Sequence, residues 1–413
     1  MRLSALIAGV WGFISFAAIA AASIGTGPDP NLAINDPDQQ AWQLFIEVNA
    51  AAPGANNALF ETWSRDADLF QLNPAWPTSA RPILGAPRAL SLPALIAHRG
   101  FQVQVVPPSG TELVAEETRR NKPAFDFIVQ NNLYKVSGLR AAFAAGKTLS
   151  FPVDAIEVKA NWVDVTRLKE FNGFAGTPAQ AAELYHVNSV GGKSYALVSF
   201  HIISKLVPNW TWATFEHTDN PGRCDIIGCT DHFGAQVTFE APKSPVESKS
   251  HYPPCTKTAA LTALLSSAHI DPAFANYCLK GTQSDFTDPT GLAVRLGNSV
   301  TEQSFVAQAS CMSCHGRASF DSTGHPTSFA GFAINSPNLK LGDPNYIGNA
   351  PVGPISPSWY WVASGPPYDP VLAGNSQLTR IAMPADFVWS IPFCAIDDTA
   401  NPPQTKSRFC AGK

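Results

Sequence analysis

The sequence predicts an α+β fold, with mixed strands and helices in a large amino-terminal portion and a loop-rich carboxy-terminal portion that carries one short helix. The chain has 413 residues, 45% of them hydrophobic, which is enough to bury a full core without disulfides. Only 15% are charged and the net charge is -4, which argues against disorder, a coiled coil and a nucleic-acid binder. The 29 glycines and 35 prolines indicate many turns and disfavour a helical bundle.

The first residues have the pattern of a secretory signal. Arg2 precedes an apolar run from Ala5, and the run ends in the small residues 20–23. We therefore expect residues 1–22 to be cleaved and the mature protein to be periplasmic or secreted, with a retained anchor as the alternative. No later apolar stretch is long enough to span a bilayer, so no stable membrane span is expected after cleavage.

The following elements are predicted from capping residues and periodicity. Asp36 caps a first helix, and Pro123 opens a longer second helix that continues through Val136 and ends at Gly146. The period then changes from helix to strand, because apolar and polar residues alternate over 156–162.

Two further strands, 195–205 and 210–217, flank the turn 207–209 and predict a hairpin. Depending on the register, several polar and aromatic side chains would share one face of it. The favoured interpretation is a cross-strand polar pair that closes the sheet, and the alternative is a histidine beside a glutamate that relays protons or orients an iron ligand. The residues concerned are Ser199, His201, Trp212, Thr214 and Glu216, with His217 as a further candidate.

All eight cysteines lie in the second half of the chain, and two of them form a CxxCH motif with Cys311, Cys314 and His315. In this composition chance would produce about 0.003 such pentapeptides. Two thiols three positions apart on a helix can reach the two vinyl groups on one edge of a haem, while the next imidazole turns toward the iron. A redox CxxC would need a βαβ context and a zinc site a second ligand pair, and neither is evident.

A helix is expected around the motif. Residues 299–302 resemble a capping box before the run Phe305, Val306 and Ala309. The motif would then form the last turns of this helix, and Gly316 would end it.

At these residues the chain resembles the c-type cytochromes. The segments SFHIISKLV and WTWATFEHTDN are also similar to secreted bacterial proteins that carry a single CxxCH and have no assigned activity. The resemblance implies one covalent haem c on Cys311 and Cys314, His315 as the proximal iron ligand, and electron transfer with a redox partner protein or a small-molecule donor or acceptor. Residues 291–413 would form the haem portion and 23–290 the mixed α/β portion, with a seam at 281–290, unless the two are one continuous domain.

The sixth iron ligand is left open by the sequence. Met383, in a loop just before a proline, is the leading candidate, and a histidine, chiefly His325, His201 or His217, is the competitor. The third possibility is an open iron, which would make the protein a peroxidase-type or other oxidoreductase with His201, Glu216 or His217 as acid or base. The sequence does not decide whether the protein is an enzyme.

The remaining six cysteines predict three local disulfides, because an even remainder in an oxidising compartment favours pairing. The pairs are Cys224–Cys229, Cys255–Cys278 and Cys394–Cys410. The second pair brackets two expected helical stretches, 257–268 and 272–280. A disulfide-stabilised secreted binding protein without haem is the third interpretation of the chain.

Other side chains of the haem portion have expected supporting roles. Arg317 and Arg380 are the basic residues nearest the motif and Met383, and either could pair with a haem propionate. An aromatic group would exclude water from the haem. Its members are Trp359, Tyr360, Trp361 and Trp389.

Overall fold

The computed structural model describes residues 29–54, 57–78, 113–241, 251–302, 306, 309–327, 352–363, 378–407 and 410. These residues form an α+β fold, as predicted, built around a seven-stranded antiparallel sheet. The expected signal segment, 1–22, lies outside the described residues. Within the described ranges, none of the helices has the length and apolar character that crossing a bilayer requires.

The large sheet has the strand order β1-β2-β3-β5-β6-β7, with β4 paired to β5. Its strands are β1 (Ser64–Arg65), β2 (Val114–Arg120), β3 (Ile156–Asp164), β4 (Val187–Val190), β5 (Lys193–Ser204), β6 (Thr211–His217) and β7 (Tyr277–Gln283). Two small antiparallel pairs, β8 with β11 and β9 with β10, lie in the carboxy-terminal portion. They consist of β8 (Ser319–Phe320), β9 (Trp361–Ala363), β10 (Leu378–Arg380) and β11 (Met383–Pro384).

The described helices are short. They are α1 (Pro30–Asn35), α2 (Pro37–Asn49), α3 (Asp66–Leu69), α4 (Lys122–Gln130), α5 (Val136–Ala144), α6 (Leu168–Asn172), α7 (Pro178–Leu184), α8 (Ala259–Ser267), α9 (Cys311–His315) and α10 (Ser390–Cys394). Single 3₁₀ turns cover Leu59–Thr62, Val165–Arg167, Pro272–Asn276 and Pro357–Trp359. The cap predicted for α2 is confirmed, because the Asp36 carboxylate accepts from the Gln39 N–H at 3.1 Å.

The single long helix predicted after Pro123 is wrong, since the structure has two helices, α4 and α5. The break follows from Asn132, whose left-handed backbone (φ 55°) ends α4. Gly138 in α5 allows the chain to fold back closely, because a Cβ there would lie 1.9 Å from the Asn132 carbonyl oxygen.

One face of the large sheet is apolar. Helix α2 packs on it through Trp42 and Phe45, whose rings lie 5.0 and 4.7 Å from that of Phe215. The strand residues of this face are those predicted from the alternation in β3, together with alternate residues of β5, β6 and β7. They include Ile156, Val158, Ala160, Trp162, Phe200, Ile202, Ala213 and Leu279.

The opposite face is polar and yet buried. The register confirms the hairpin and places Ser199 opposite Glu216 and His201 opposite Thr214, so that these side chains share one face. The segment before the CxxCH motif covers this face. Asn161 donates to the Thr301 hydroxyl at 2.8 Å, and the Glu216 carboxylate accepts from the backbone N–H of residue 299 at 2.9 Å.

The helix predicted before the CxxCH motif is corrected by the structure. The capping group of residues 298–302 is the Asn298 side chain, and α9 begins only at Cys311 because Ser310 is extended (φ -146°) and bridges to Leu296. Residues 303–305 and 307–308 of the expected helix lie outside the described chain. The predicted end of α9 at Gly316 is confirmed.

The second helical stretch predicted before Gly281 is also wrong. Residues 272–276 form a 3₁₀ turn and residues 277–283 form β7, so the first residues of the expected seam belong to the large sheet. The disulfide Cys255–Cys278 nevertheless forms, as do Cys224–Cys229 and Cys394–Cys410. All three predicted disulfides are thus confirmed. The position of a domain boundary stays a prediction.

Candidate functional site

The CxxCH residues of α9 are divided between its two sides. Cys311, Cys314 and His315 are partly exposed, and both cysteines are free thiols, whereas Met312 and Ser313 are fully buried. Positions i, i+3 and i+4 lie on the same side of a helix. The two thiols and the imidazole therefore lie together on the partly exposed side of α9.

Because a helix of five residues is not stable by itself, α9 depends on contacts from outside. At its amino end the Met312 N–H donates to the Gln283 side chain at 3.1 Å. At its carboxy end, aromatic side chains donate to backbone carbonyl groups of residues 314–317, at and just after the end of the helix. These are Trp389 to Cys314 O at 3.2 Å, Tyr360 to Gly316 O, and Trp359 to Arg317 O at 3.1 Å.

The imidazole of His315 is held in one orientation. Its Nδ1 lies 2.9 Å from the Phe387 carbonyl oxygen, which can only accept, so Nδ1 carries the proton and the lone pair is on Nε2. The Trp212 ring of β6 packs 4.7 Å from the imidazole. Burial lowers the pKa of His315 to about 4, and the nearby charges of Lys159 and His201 act in the same direction, so the ring is neutral at pH 7.

The two thiols are protonated at neutral pH. Burial raises the pKa of Cys311 well above its usual value and that of Cys314 to about 11. A redox-active CxxC and a zinc site both require thiolates. Among the described residues the one cluster with metal-ligand spacing contains Asp66 and the sulfurs of the Cys394–Cys410 disulfide, and it does not include the motif.

Charged side chains of the polar sheet face and of the segment that covers it act electrostatically on the motif. The Lys159 ammonium lies 3.1 Å from the Glu116 carboxylate, and the Glu302 carboxylate lies 3.5 Å from His201 Nε2. Burial opposes the charged form of Lys159, but Glu116 and Glu302 raise its pKa above the ordinary value. Likewise, burial opposes the charge on Glu302, but His201 and Lys159 lower its pKa.

The structure separates the other proton-transfer candidates from the motif. Glu216 accepts from Asn220 at 3.2 Å and from Lys280 at 3.4 Å, and its bond from the Ser299 N–H at 2.9 Å ties the covering segment to the sheet. The His217 ring stacks on Tyr185 with centroids 3.7 Å apart, and burial lowers its pKa to about 3. Of the three candidates, His201 lies 3.5 Å from Glu302, in the segment that leads to α9.

The candidates for the sixth iron ligand are not placed against His315 by any described contact. Met383 is buried in β11 opposite Phe320, and its sulfur accepts from the Arg380 guanidinium at 3.7 Å. His325 lies in a turn, 3.9 Å from the Asp397 carboxylate. The assignment of Met383 as the distal ligand stays a prediction.

The expected supporting residues have described contacts of their own. Arg317 donates to the Ser313 carbonyl and packs over the Trp359 ring, and Arg380 packs over the Trp361 ring. Three of the four expected aromatic residues hold α9 directly, as described above. Their expected role of excluding water from the haem stays a prediction.

Two important contacts of the site were missed at the level of sequence. Gln283 and Phe387 act through hydrogen bonds to residues 29 and 72 positions away, and neither is part of a motif. Phe387 acts through its backbone, which any residue type could provide. No local signal in the sequence identifies them.

Neither a protein-family model, nor a curated protein, nor a solved structure matches this chain.

Proposed function

We propose that this protein is a periplasmic or secreted monohaem c-type cytochrome that acts in electron transfer. The observation that carries the proposal is the arrangement of α9. Cys311, Cys314 and His315 share the accessible side of a helix that is tied down at both ends, and the Nδ1–H of His315 is bonded to a backbone carbonyl. A c-type haem needs these three groups in this relation.

The residues present fit a covalent haem. Each thiol can add across one vinyl group, so that the sulfur bonds to one vinyl carbon and the thiol hydrogen goes to the other, with no oxidant needed. His315 Nε2 has its lone pair free to bind iron, and the Nδ1–H bond to Phe387 orients the ring. When bound, the haem would supply a one-electron couple.

Three disulfides support a location in an oxidising compartment, which is also where covalent haem attachment takes place. The partner would be a redox protein or a small-molecule electron donor or acceptor. Met383 is proposed to complete the iron coordination, because a buried thioether on a short strand is a suitable ligand for a carrier.

The visible spectrum of protein matured with the haem-attachment machinery tests both parts of the proposal. We expect covalent haem after denaturation, and a dithionite-reduced spectrum that does not change with carbon monoxide, because two protein ligands fill the iron. Met383→Ala should make the iron accessible to carbon monoxide. A colourless, correctly matured preparation would contradict the haem assignment, and an unchanged spectrum in Met383→Ala would contradict the distal ligand.

The second candidate is a haem enzyme with an open iron. The ionisable side chains of Lys159, Glu302 and His201 favour it, because they act electrostatically on His315 and acid and base groups near an open iron could move protons during turnover. Prompt binding of carbon monoxide to the wild type would favour this candidate. His201→Gln and Glu302→Gln should then reduce peroxide or oxygen turnover, and unchanged turnover in both variants would exclude their catalytic role.

A further inference from the structure

A buried ion pair lies beside the turn that contacts His315. The Lys205 ammonium is 2.6 Å from Asp386 Oδ1, and both side chains are 7% exposed. Lys205 also donates to the Pro208 carbonyl at 2.7 Å, and Asp386 Oδ2 accepts from the Phe151 N–H at 2.7 Å. The carboxylate is thus held both by the β5–β6 turn and by the segment before β3.

The backbone at and after Asp386 adopts an energetically unfavourable conformation. Asp386 (φ 48°) and Phe387 (φ 70°) are successive left-handed residues, and neither is a glycine. Residues other than glycine rarely adopt this backbone conformation unless the surrounding structure holds them in it. In this conformation the Phe387 carbonyl accepts the hydrogen bond from His315 Nδ1.

We propose that the Lys205–Asp386 pair is a positioning device for the iron ligand. By holding the left-handed turn, the pair keeps the Phe387 carbonyl in line with His315 Nδ1. It acts through Phe387 and does not touch the haem iron. This inference rests on the proposed function, because it concerns the histidine that would bind the iron.

The hydrogen bond between His315 and Phe387 also affects the reduction potential of the haem. A histidine that donates its Nδ1–H to an acceptor is a more basic ligand, and a more basic ligand stabilises the oxidised iron. The hydrogen bond to Phe387 therefore lowers the reduction potential. Loss of either member of the pair should weaken this bond and raise the potential.

Two single variants separate positioning from a simple effect of charge. Asp386→Ala leaves Lys205 as an uncompensated positive charge, whereas Lys205→Met leaves the Asp386 carboxylate unpaired. If the pair positions the turn, both variants raise the reduction potential of the haem protein. If the pair acts only through its charges, the shifts have opposite signs, with Lys205→Met lowering the potential, and the inference is overturned.

A matched control removes another buried carboxylate. Asp231 accepts from Trp42 Nε1 at 2.9 Å beside the apolar sheet face, and Asp231→Asn should leave the potential unchanged. If Asp386→Ala does not mature, Asp386→Asn, which can still accept from Phe151, replaces it. An equal shift in Asp231→Asn would show that the effect is a general loss of packing and would overturn the inference.

A second readout does not depend on the haem. In the full chain produced without haem, the nitrogen chemical shifts of the His315 ring report its tautomer. We expect the Nδ1–H form in the wild type and in Asp231→Asn, and an increased Nε2–H population in Lys205→Met and Asp386→Ala. If the wild type fails to take up haem, the proposed function fails while this result still decides the positioning role. Unchanged tautomers in both variants would overturn it.

Discussion

The two faces of the large sheet are both buried but differ in what covers them. On one face α2 and α8 pack against aliphatic and aromatic strand residues in a continuous core. On the other face the strands present Asn161, Ser199, His201, Thr214 and Glu216, and the segment leading to α9 covers them through hydrogen bonds. Buried polar groups must be hydrogen-bonded, so this second face fixes the position of its cover much more specifically than an apolar surface would.

The difference indicates separate roles for the two faces. Hydrophobic burial is non-directional and supplies stability, whereas a hydrogen-bonded polar face sets register and orientation. Gln283 and Trp212 on the polar face contact α9 and His315 directly. We therefore expect substitutions on the apolar face to change the unfolding free energy, and substitutions on the polar face to change the candidate site.

The largest effect is expected from the motif itself. Cys311→Ser combined with Cys314→Ser removes both thiols, so the variant should carry no covalent haem while the apolar core stays folded. Haem retained on a denaturing gel and the circular dichroism spectrum measure the two properties. Met312→Leu, a volume-conserving change on the buried side of α9, is the control and should keep its haem. Covalent haem in the double variant would place the attachment elsewhere.

On the apolar face, Phe45→Ala should cost about 3–5 kcal/mol of unfolding free energy, because the ring is fully buried among Phe200, Phe215 and Phe274. Denaturant unfolding measures the loss, and Phe45→Leu should lose less. The visible spectrum and reduction potential of the folded variant should equal those of the wild type. A spectral change without loss of stability would contradict the assignment of separate roles to the two faces of the sheet.

An ion cluster at the edge of the apolar core predicts a pH dependence. His186 Nε2 lies 2.7 Å from Glu61 and Nδ1 lies 2.8 Å from Asp271. Burial opposes the charged imidazole, but the hydrogen bonds and charges of the two carboxylates raise the pKa of His186 to about 9. Its contribution to stability is therefore complete below about pH 6.5 and is lost as the pH rises through about 9, with an upper limit of about 3 kcal/mol.

Unfolding free energies of the wild type and His186→Gln between pH 6 and 10 test this expectation. The wild type should lose stability across the range, and the variant should be less stable at pH 6 and lose less with rising pH. Burial raises the pKa values of Glu61 and Asp271, but the contacts with His186 outweigh it and lower them. The stability contributed by these two carboxylates is therefore present above their usual pKa values and is lost as the pH falls into the acid range. Parallel curves for the two proteins would contradict the assignment.

The strands of the polar face could be predicted from the sequence, whereas the cover over that face could not. Alternation in β3 and the hairpin after it were predicted, and the register confirms that His201 and Glu216 share a face. Alternation does not say whether a polar face is exposed or covered, because that depends on a segment about 100 residues later in the chain. The burial of the polar face was therefore missed.

The errors near the candidate site have the same origin. The pattern of residues 299–309 satisfied a local helix signal, but Ser310 is extended and bridges to Leu296, so α9 starts only at Cys311. The Cys255–Cys278 pair was predicted correctly from an expected helix pair, of which the structure keeps the first helix as α8 and replaces the second with a 3₁₀ turn and β7. Proximity in sequence was enough for the disulfide, whereas the contacts that hold α9 are long-range.

The smallest effect, and the sharpest test of the polar face, comes from Gln283 of β7. Its side chain accepts from the Met312 N–H at 3.1 Å and donates to the Ser310 hydroxyl at 3.1 Å. Gln283→Leu keeps the volume but leaves a buried N–H at the start of α9 without its acceptor, which should cost about 1–3 kcal/mol. Because the loss falls on the motif helix, the reduction potential should change as well.

A buried glutamine on α2 provides the matched control. Within the described residues, Gln43 Oε1 is buried without a hydrogen-bond partner, so Gln43→Leu removes an unsatisfied acceptor and should be neutral or stabilising. Denaturant unfolding and redox titration of both variants complete the comparison. If Gln283→Leu lowers stability and leaves the potential unchanged, the polar face contributes only to packing. If both quantities change in Gln283→Leu and neither falls in Gln43→Leu, hydrogen bonds from the sheet set the geometry of α9.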